Sequence, residues 1–267
     1  MIMDITKYYA IPGEKPLDII KPDGGFFSIF RRAAVIGDSL SSGEMESLTP
    51  DGVKGYHDYF EYSWGQFMAR AAGNEVLNFS RGGMTASEYM QSFGEANNFF
   101  DKEKACQCYI IALGVNDLCN RGDEIGSTAD IDLNDYRNNA DTFAGWYARV
   151  IQKYREISPK SRIFLMTMVP NERRASETIE AHRKLLYEIA EMFDYCYVLD
   201  FCEYAPPHDE VFREHFYLGG HLNAMGYLIT AQQVMSYIDY IIRNNYEDFI
   251  QTAFIGKGGE YNCGVKW

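Results

Sequence analysis

The sequence lacks the features that mark nucleic-acid-binding and membrane-spanning proteins. Its 25 lysines and arginines are outnumbered by 38 aspartates and glutamates. The resulting formal charge of -13 argues against a nucleic-acid partner and against binding to an anionic membrane surface. No apolar run approaches the length of a bilayer span, and the first residues lack the basic and apolar regions of a signal peptide. We therefore expect a cytoplasmic protein.

Cysteine is present six times, but no two cysteines form a C-x-x-C pair. These spacings are unlike those of a zinc site. Three of the cysteines lie in apolar, strand-like runs, where a free cysteine behaves as a small hydrophobic residue. We expect all of them to be reduced thiols, as in a cytoplasmic protein. The six are Cys106, Cys108, Cys119, Cys196, Cys202 and Cys263.

Five short apolar runs without alternation are separated by amphipathic segments. Runs of this kind are typical of strands buried on both faces, so they predict an α/β fold with a parallel sheet covered by helices on both sides. The strands are predicted at about 32–37, 75–80, 106–113, 162–168 and 195–200. We expect an N-terminal extension over 1–30, one main domain over 31–250 and a C-terminal tail over 251–267.

Helical periodicity fills the gaps between these strands. It predicts a helix from about 57 to 72, a second from the N-cap residue Thr85, and a last long helix from the N-cap residue Asn223. Residues 44–56 contain Pro50, Asp51-Gly52 and Gly55 and are predicted to be a loop.

The first apolar run ends abruptly at Gly37-Asp38-Ser39. Ligands in α/β folds bind at the edge where such strands end. A serine at this point, with backbone N–H groups beside it, could act as an acyl-transfer nucleophile. The alternative is a turn with a capping serine, which is very common.

Other polar positions follow the next predicted strands. Gly83 follows the second and Asn116 follows the third, and right-handed crossovers bring all these strand ends to one edge of the sheet. His221 precedes the last helix in a loop that can fold back to that edge. The set is chemically coherent: Ser39 as nucleophile, His221 as base, and the N–H groups of Ser39 and Gly83 with the Asn116 amide as oxyanion donors.

These segments together resemble the SGNH (GDSL-type) hydrolase family of esterases and lipases. The resemblance implies a flavodoxin-like, three-layer α/β/α fold with a five-stranded parallel sheet. It also implies ester hydrolysis through a covalent acyl-enzyme without metal or cofactor. By the same resemblance Ser39 is the nucleophile, His221 is the general base, and Ser39, Gly83 and Asn116 form the oxyanion hole. The segments that carry it are Gly37-Asp38-Ser39-Leu40, Gly83, Gly114-Val115-Asn116-Asp117, and His221 followed by Asn223.

One position departs from the family pattern. The family has an aspartate three residues before the histidine, whereas this chain has Leu218. Loss of such an acid costs roughly 10⁴-fold in the serine-protease template. The backbone carbonyl of Leu218 could replace it, or an acid from the preceding loop could do so: Asp209, Glu210 or Glu214. The remaining alternative is a weak enzyme or a binding module.

The leading functional hypothesis is a serine esterase acting on a small-molecule ester with a short acyl or acetyl group. The expectation that this ester is linked to a carbohydrate is implied by the family resemblance and by no residue of the chain. The second hypothesis is a catalytically inert α/β binding domain. The third, a nucleotide-binding domain, is disfavoured because the loop after the first strand has neither a Walker lysine nor a G-x-G-x-x-G pattern. Oligomerisation is left open.

Overall fold

The computed structural model of the chain describes residues 8–9 and 11–261. Expectations that concern the remaining residues, including the thiol of Cys263, lie outside the described residues. The described strands are β1 (Arg32–Gly37), β2 (Glu44–Leu48), β3 (Lys54–Asp58), β4 (Glu75–Asn78), β5 (Cys108–Ala112), β6 (Arg162–Met166), β7 (Cys196–Leu199), β8 (Tyr217–Leu218) and β9 (His221–Leu222). The described α-helices are α1 (Ser39–Ser42), α2 (Trp64–Ala72), α3 (Ala86–Glu88), α4 (Gly94–Ala96), α5 (Phe143–Ile157), α6 (Ser176–Ala190), α7 (Phe201–Tyr204), α8 (Glu210–Phe216), α9 (Ala224–Asn244) and α10 (Tyr246–Phe249).

The central sheet has five parallel strands in the order β4-β1-β5-β6-β7. This confirms the predicted three-layer α/β/α fold of the flavodoxin-like type. β1 lies between β4 and β5, so the chain adds β4 on one side of β1 and then β5, β6 and β7 on the other. The strand order therefore reverses beside β1. In open α/β sheets the ligand site lies at such a reversal, outside the carboxyl ends of the strands.

Two apolar cores explain why the strands show no polar alternation. Ala33 and Val35 of β1 pack with α2 and α9 on one face of the sheet. Ala34 and Ile36 pack with α5 and α6 on the other face. Both faces are thus dry, as expected for a parallel sheet. The α9 helix begins where predicted, because the Asn223 side chain accepts the Gly226 N–H at 3.0 Å. No helix among residues 8–9 and 11–261 is long and apolar enough to cross a bilayer.

The prediction of a loop over residues 44–56 is wrong. These residues build most of an antiparallel hairpin, β2–β3, in which Glu46 lies opposite Tyr56. Asp51-Gly52 lies in its turn, with Gly52 in the left-handed conformation at φ +84°. The predicted helix from residue 57 is also wrong at its start, since β3 runs to Asp58 and α2 begins at Trp64. The loop prediction fails because Pro50, Asp51-Gly52 and Gly55 are typical of a loop and outweigh the short alternation in Glu44-Met45-Glu46.

The segment before β1 packs on the main domain. Phe27 and Phe30 are buried in the α9-side core. Arg243 of α9 lies 2.6 Å from Glu14 and 2.8 Å from Asp239, and all three side chains are at most 6% exposed. This buried ion triad anchors the extension to the longest described helix.

We expect the Arg243→Ala variant to lose about 3 kcal/mol or more of unfolding free energy at pH 7, because Glu14 and Asp239 would remain buried without a counter-charge. Urea denaturation followed by circular dichroism measures this loss. The matched control is Arg137→Ala, whose side chain is 77% exposed and pairs with Asp135 at the surface; its loss should stay below about 0.5 kcal/mol. Equal losses in the two variants would contradict an anchoring role for the triad.

Candidate active site

Ser39 lies directly after β1, at the carboxyl edge of the sheet, and begins the short helix α1. The Asp38 side chain caps this turn by accepting the Leu40 N–H at 3.0 Å. Gly37 is required at the strand end, because a Cβ there would overlap the Ser41 side chain. Asp38 is thus a local capping residue, and Ser39 remains partly exposed.

Gly83 and Asn116 lie at the same edge, on the segments that follow β4 and β5. The Asn116 side-chain amide donates to the Met84 carbonyl at 3.1 Å and lies 3.4 Å from Asp38 Oδ2. These two contacts join the segments after β1, β4 and β5. Gly83 has φ +71° and is exposed, with no atom within 4 Å of where a Cβ would be. The backbone conformation therefore explains the choice of glycine at this position, since a left-handed backbone favours glycine.

The imidazole of His221 also reaches this edge, on the hairpin β8–β9. Its Nδ1 lies 2.9 Å from Glu46 Oε1, which also accepts the Gly220 N–H at 2.6 Å. The Glu46 side chain is only 8% exposed. Burial raises the pKa of Glu46, but the hydrogen bonds from His221 and Gly220 outweigh it and leave the pKa below its ordinary value. An ionised carboxylate therefore orients the imidazole.

None of the predicted orienting groups holds Nδ1. Leu218 pairs with His221 across the hairpin, and Asp209 caps α8 by accepting the Phe212 N–H at 2.8 Å. Glu210 and Glu214 are exposed at the surface of the same helix. The residue that takes the position is Glu46, 175 positions from His221 along the chain. The alternation in Glu44-Met45-Glu46, followed by the turn at Asp51-Gly52, was the available signal for the hairpin that carries it.

A second carboxylate contacts the other ring nitrogen. Glu44 Oε1 lies 3.1 Å from His221 Nε2, and a Cβ at Gly82 would overlap Glu44 Oε2. Burial raises the pKa of Glu44, and the neighbouring charges of Asp58 and Glu46 raise it further against the opposing effect of His221. Among the described residues no hydrogen bond joins Ser39 Oγ to His221. In this structure the imidazole is therefore held between two carboxylates.

Tyr227 ties the hairpin to the serine turn. Its hydroxyl donates to the Glu44 carbonyl at 2.6 Å and lies 3.4 Å from the Ser39 carbonyl. Helical periodicity predicts Tyr227 only as a residue on the buried face of α9. Its ring is indeed buried, but its hydroxyl joins the two segments that carry the serine and the carboxylates.

An apolar pocket lies beside the Ser39 turn, between the ends of β5 and β6 and helix α9. It contains about 650 Å³ of empty space, part of which is open to solvent. Asp38 and Arg174 are polar residues on its wall. Among its apolar lining residues are Leu40, Trp64, Val115, Met166, Met168 and Leu222.

Asp117 holds the segment after β4 in place through a backbone contact. Its Oδ1 accepts the Ala86 N–H at 2.8 Å, while its buried Oδ2 has no hydrogen-bond partner among the described residues. Burial raises the pKa of Asp117 to about 7, and burial also raises the pKa of Asp38 to about 6. Both carboxyls therefore hold a proton in the folded chain at a pH where the unfolded chain has lost it.

We expect the free energy of unfolding to fall as the pH rises from 4 to 7, as far as these two groups contribute, since the folded state binds more protons. In the Asp117→Asn variant, the decrease in unfolding free energy between pH 4 and pH 7 should be smaller than in the wild type by about 2–4 kcal/mol. Urea unfolding at several pH values measures it. The control is Asp141→Asn, an exposed carboxylate that should keep the wild-type slope. An unchanged slope in Asp117→Asn would contradict the raised pKa.

The family follows from the sequence comparison. A family model described as GDSL-like Lipase/Acylhydrolase family matches residues 35–229. The chain belongs to this family. The resemblance drawn from the four motifs is thereby confirmed, and the GDSL protein is a carboxylic ester hydrolase. No curated protein sequence matches it significantly.

Solved structures are similar to this GDSL protein in fold. A family two carbohydrate esterase from Clostridium thermocellum in complex with cellohexaose has a TM-score of 0.53 at 16% identity, over 82% of this chain and 65% of that one. The esterase EstA from Pseudoalteromonas sp. has a TM-score of 0.53 at 14% identity, over 80% and 100%. A Corynascus thermopiles family 2 carbohydrate esterase has a TM-score of 0.52 at 14% identity, over 79% and 66%. This chain thus spans about two thirds of the two carbohydrate esterases.

Proposed function

We propose that this GDSL esterase hydrolyses small acyl esters through a covalent acyl intermediate on Ser39. One observation carries the proposal. The imidazole of His221 is fixed by the buried carboxylate Glu46 at the sheet edge where Ser39, Gly83 and Asn116 also lie. A nucleophile, an oriented base and candidate N–H donors at one edge are the parts that acyl transfer requires.

In the proposed reaction, Ser39 Oγ attacks the ester carbonyl carbon while His221 Nε2 accepts the hydroxyl proton. The N–H groups of Ser39 and Gly83 stabilise the oxyanion, and the Asn116 amide joins them by turning one N–H away from the Met84 carbonyl or Asp38. The imidazolium returns its proton to the leaving alcohol when the C–O bond of the ester breaks. Water then attacks the acyl-serine by the same route and releases the acid. Glu46 keeps the proton on Nδ1 and stabilises the imidazolium.

The mechanism requires Nε2 to leave Glu44 and face Ser39. We expect Glu44→Gln to raise kcat at pH 8 about 3- to 10-fold, because a neutral amide holds Nε2 less strongly than a carboxylate does. The gain should shrink as the pH falls, since protonation makes Glu44 neutral as well. Steady-state hydrolysis of 4-nitrophenyl acetate measures it, with the exposed Glu156→Gln as control. A lower kcat in Glu44→Gln would show instead that Glu44 supports the active arrangement.

The substrate proposal is a short-chain or acetyl ester. The apolar pocket beside Ser39 supports this substrate class, since its apolar side chains can contact a small acyl group. A carbohydrate-linked ester is supported by the fold shared with the two carbohydrate esterases. We also propose the domain limits 31–250 for the catalytic unit and a cytoplasmic location, the latter because the five described cysteines are free thiols.

A fluorophosphonate probe tests the proposed function directly. EstA from Pseudoalteromonas sp. is described as inhibited by monoethylphosphonate. We expect peptide mass spectrometry to find the adduct on Ser39, and acetyl esters to protect against labelling. Heat-denatured protein controls for nonspecific reaction. Absence of any adduct on Ser39, together with no hydrolysis of acetyl esters, would favour the catalytically inert binding domain.

A further inference from the structure

A polar cleft containing three arginines lies beside the carboxyl edge of the sheet. Arg173, Arg174 and Arg213 line it together with Gly220, the residue before His221. Asn120 also lines the cleft, and its side-chain amide donates to Asn116 Oδ1 at 2.7 Å. The cleft contains about 730 Å³ of empty space. The cleft therefore adjoins Asn116 and His221 through Asn120 and Gly220.

The three arginines are notable in a chain with a formal charge of -13. None of them forms a salt bridge with a carboxylate of residues 8–9 or 11–261. Arg213 donates to the Gly219 carbonyl at 3.3 Å, and its guanidinium lies 4.5 Å from the centre of the Tyr217 ring. Burial and the charges of Arg173 and Arg174 lower the pKa of Arg213, against the effect of the exposed Glu172. A bound anion would relieve this repulsion.

The helix α6 adds a second source of positive potential. It is 15 residues long and begins at Ser176, and its N-cap residue Ala175 makes no side-chain cap. Ala175 and Thr178 line the cleft. The first N–H groups of a helix have no partner within the helix, and its N-terminus favours negative charge. The exposed Glu177 lies in this first turn and offsets part of the effect.

Arg174 links the cleft to the serine. It lines both the arginine cleft and the apolar pocket that Asp38 and Leu40 also line. Its charge lowers the pKa of Asp38, the residue before Ser39, against the dominant effect of burial. A substrate whose ester carbonyl lies at Ser39 can therefore place an anionic group against Arg174 and its neighbours.

We propose that the substrate of this esterase is an ester that also carries an anionic group, a carboxylate or a phosphate, and that the cleft of Arg173, Arg174 and Arg213 binds it. The proposal rests on the proposed function, because it assigns a substrate class to the same site. Guanidinium groups suit both anions, since they bind each through paired hydrogen bonds.

Three aryl acetates with different para substituents test the proposal: 4-acetoxybenzoate, 4-acetoxyphenyl phosphate and the neutral 4-acetoxybenzamide. We expect kcat/KM of the wild type to be at least about 10-fold higher for one anionic ester than for the neutral one. The double variant Arg173→Gln/Arg213→Gln should lower that ratio at least about 10-fold, to near 1. Added salt should lower it in the wild type. Arg137→Gln, an exposed arginine elsewhere, should leave the ratio unchanged.

A binding measurement separates this proposal from the proposed function. Calorimetric titration with benzoate, phenyl phosphate and benzamide needs no hydrolysis, and we expect the anions to bind the wild type but not the double variant. The better of the two anions identifies the group that the cleft recognises. Ratios and affinities that do not depend on ligand charge, or that are equal in wild type and double variant, would overturn the anionic-substrate proposal while Ser39-dependent hydrolysis remained intact. If the wild type bound the anions but hydrolysed none of the three aryl acetates, the result would count against the proposed function alone.

Discussion

Replacement of Ser39 by alanine should lower kcat for 4-nitrophenyl acetate by about 10⁴- to 10⁶-fold, the range seen when the nucleophile of a serine hydrolase is removed. The physical reason is that no acyl-enzyme can form. The remaining reaction is direct attack of a weakly activated water on the ester, assisted only by the N–H donors. The structure places Ser39 at the end of β1, in a turn held by Asp38 and Gly37. Alanine fits that turn, because the Ser39 side chain makes no hydrogen bond among the described residues.

A discontinuous assay that follows acetate release over hours can measure so small a rate. The matched control is Ser92→Ala, an exposed serine on the helical segment after β4, which should keep the wild-type kcat. Thermal unfolding of both variants checks that the fold is intact. A Ser39→Ala variant that retained more than a few per cent of the activity would place the nucleophile elsewhere.

The second large effect concerns Glu46. We expect Glu46→Ala to lower kcat about 10⁴-fold, because the His221 imidazole would lose the group that fixes its tautomer and stabilises its charged form. The Gly220 N–H would lose its acceptor as well. Glu46→Gln should lie between this variant and the wild type, since an amide oxygen can still accept from Nδ1 but carries no charge. Steady-state kinetics of the three proteins measure the series.

Ser47→Ala is the control for Glu46, because Ser47 lies next to it on the same hairpin and is exposed. Among the described residues its hydroxyl bonds only to His57 Nε2. A hairpin that merely became disordered would lower activity in both variants and change the near-ultraviolet circular dichroism. If Glu46→Ala instead kept kcat within about threefold of the wild type, the backbone would suffice to orient His221, and the notion of a catalytic carboxylate on β2 would fail.

Much of the scaffold could be predicted from local pattern. The five strands lie within two residues of their predicted limits, because a strand buried on both faces leaves an uninterrupted apolar run. The strand ends follow from the same pattern, and with them the placement of Ser39, Gly83 and Asn116 at one edge. The start of α9 at Asn223 follows from its side-chain cap.

The sheet, its carboxyl edge and the family can thus be predicted from short segments, because the chemistry of each segment is local. Which acid meets His221 is known from the folded chain alone, because Glu46 lies 175 positions away and the local signals for its hairpin do not say where that hairpin packs. The convergence of Arg173, Arg174 and Arg213 was hidden for the same reason. Contacts between polar side chains on distant loops depend on how the loops fold over the sheet, and no periodicity in the chain records that.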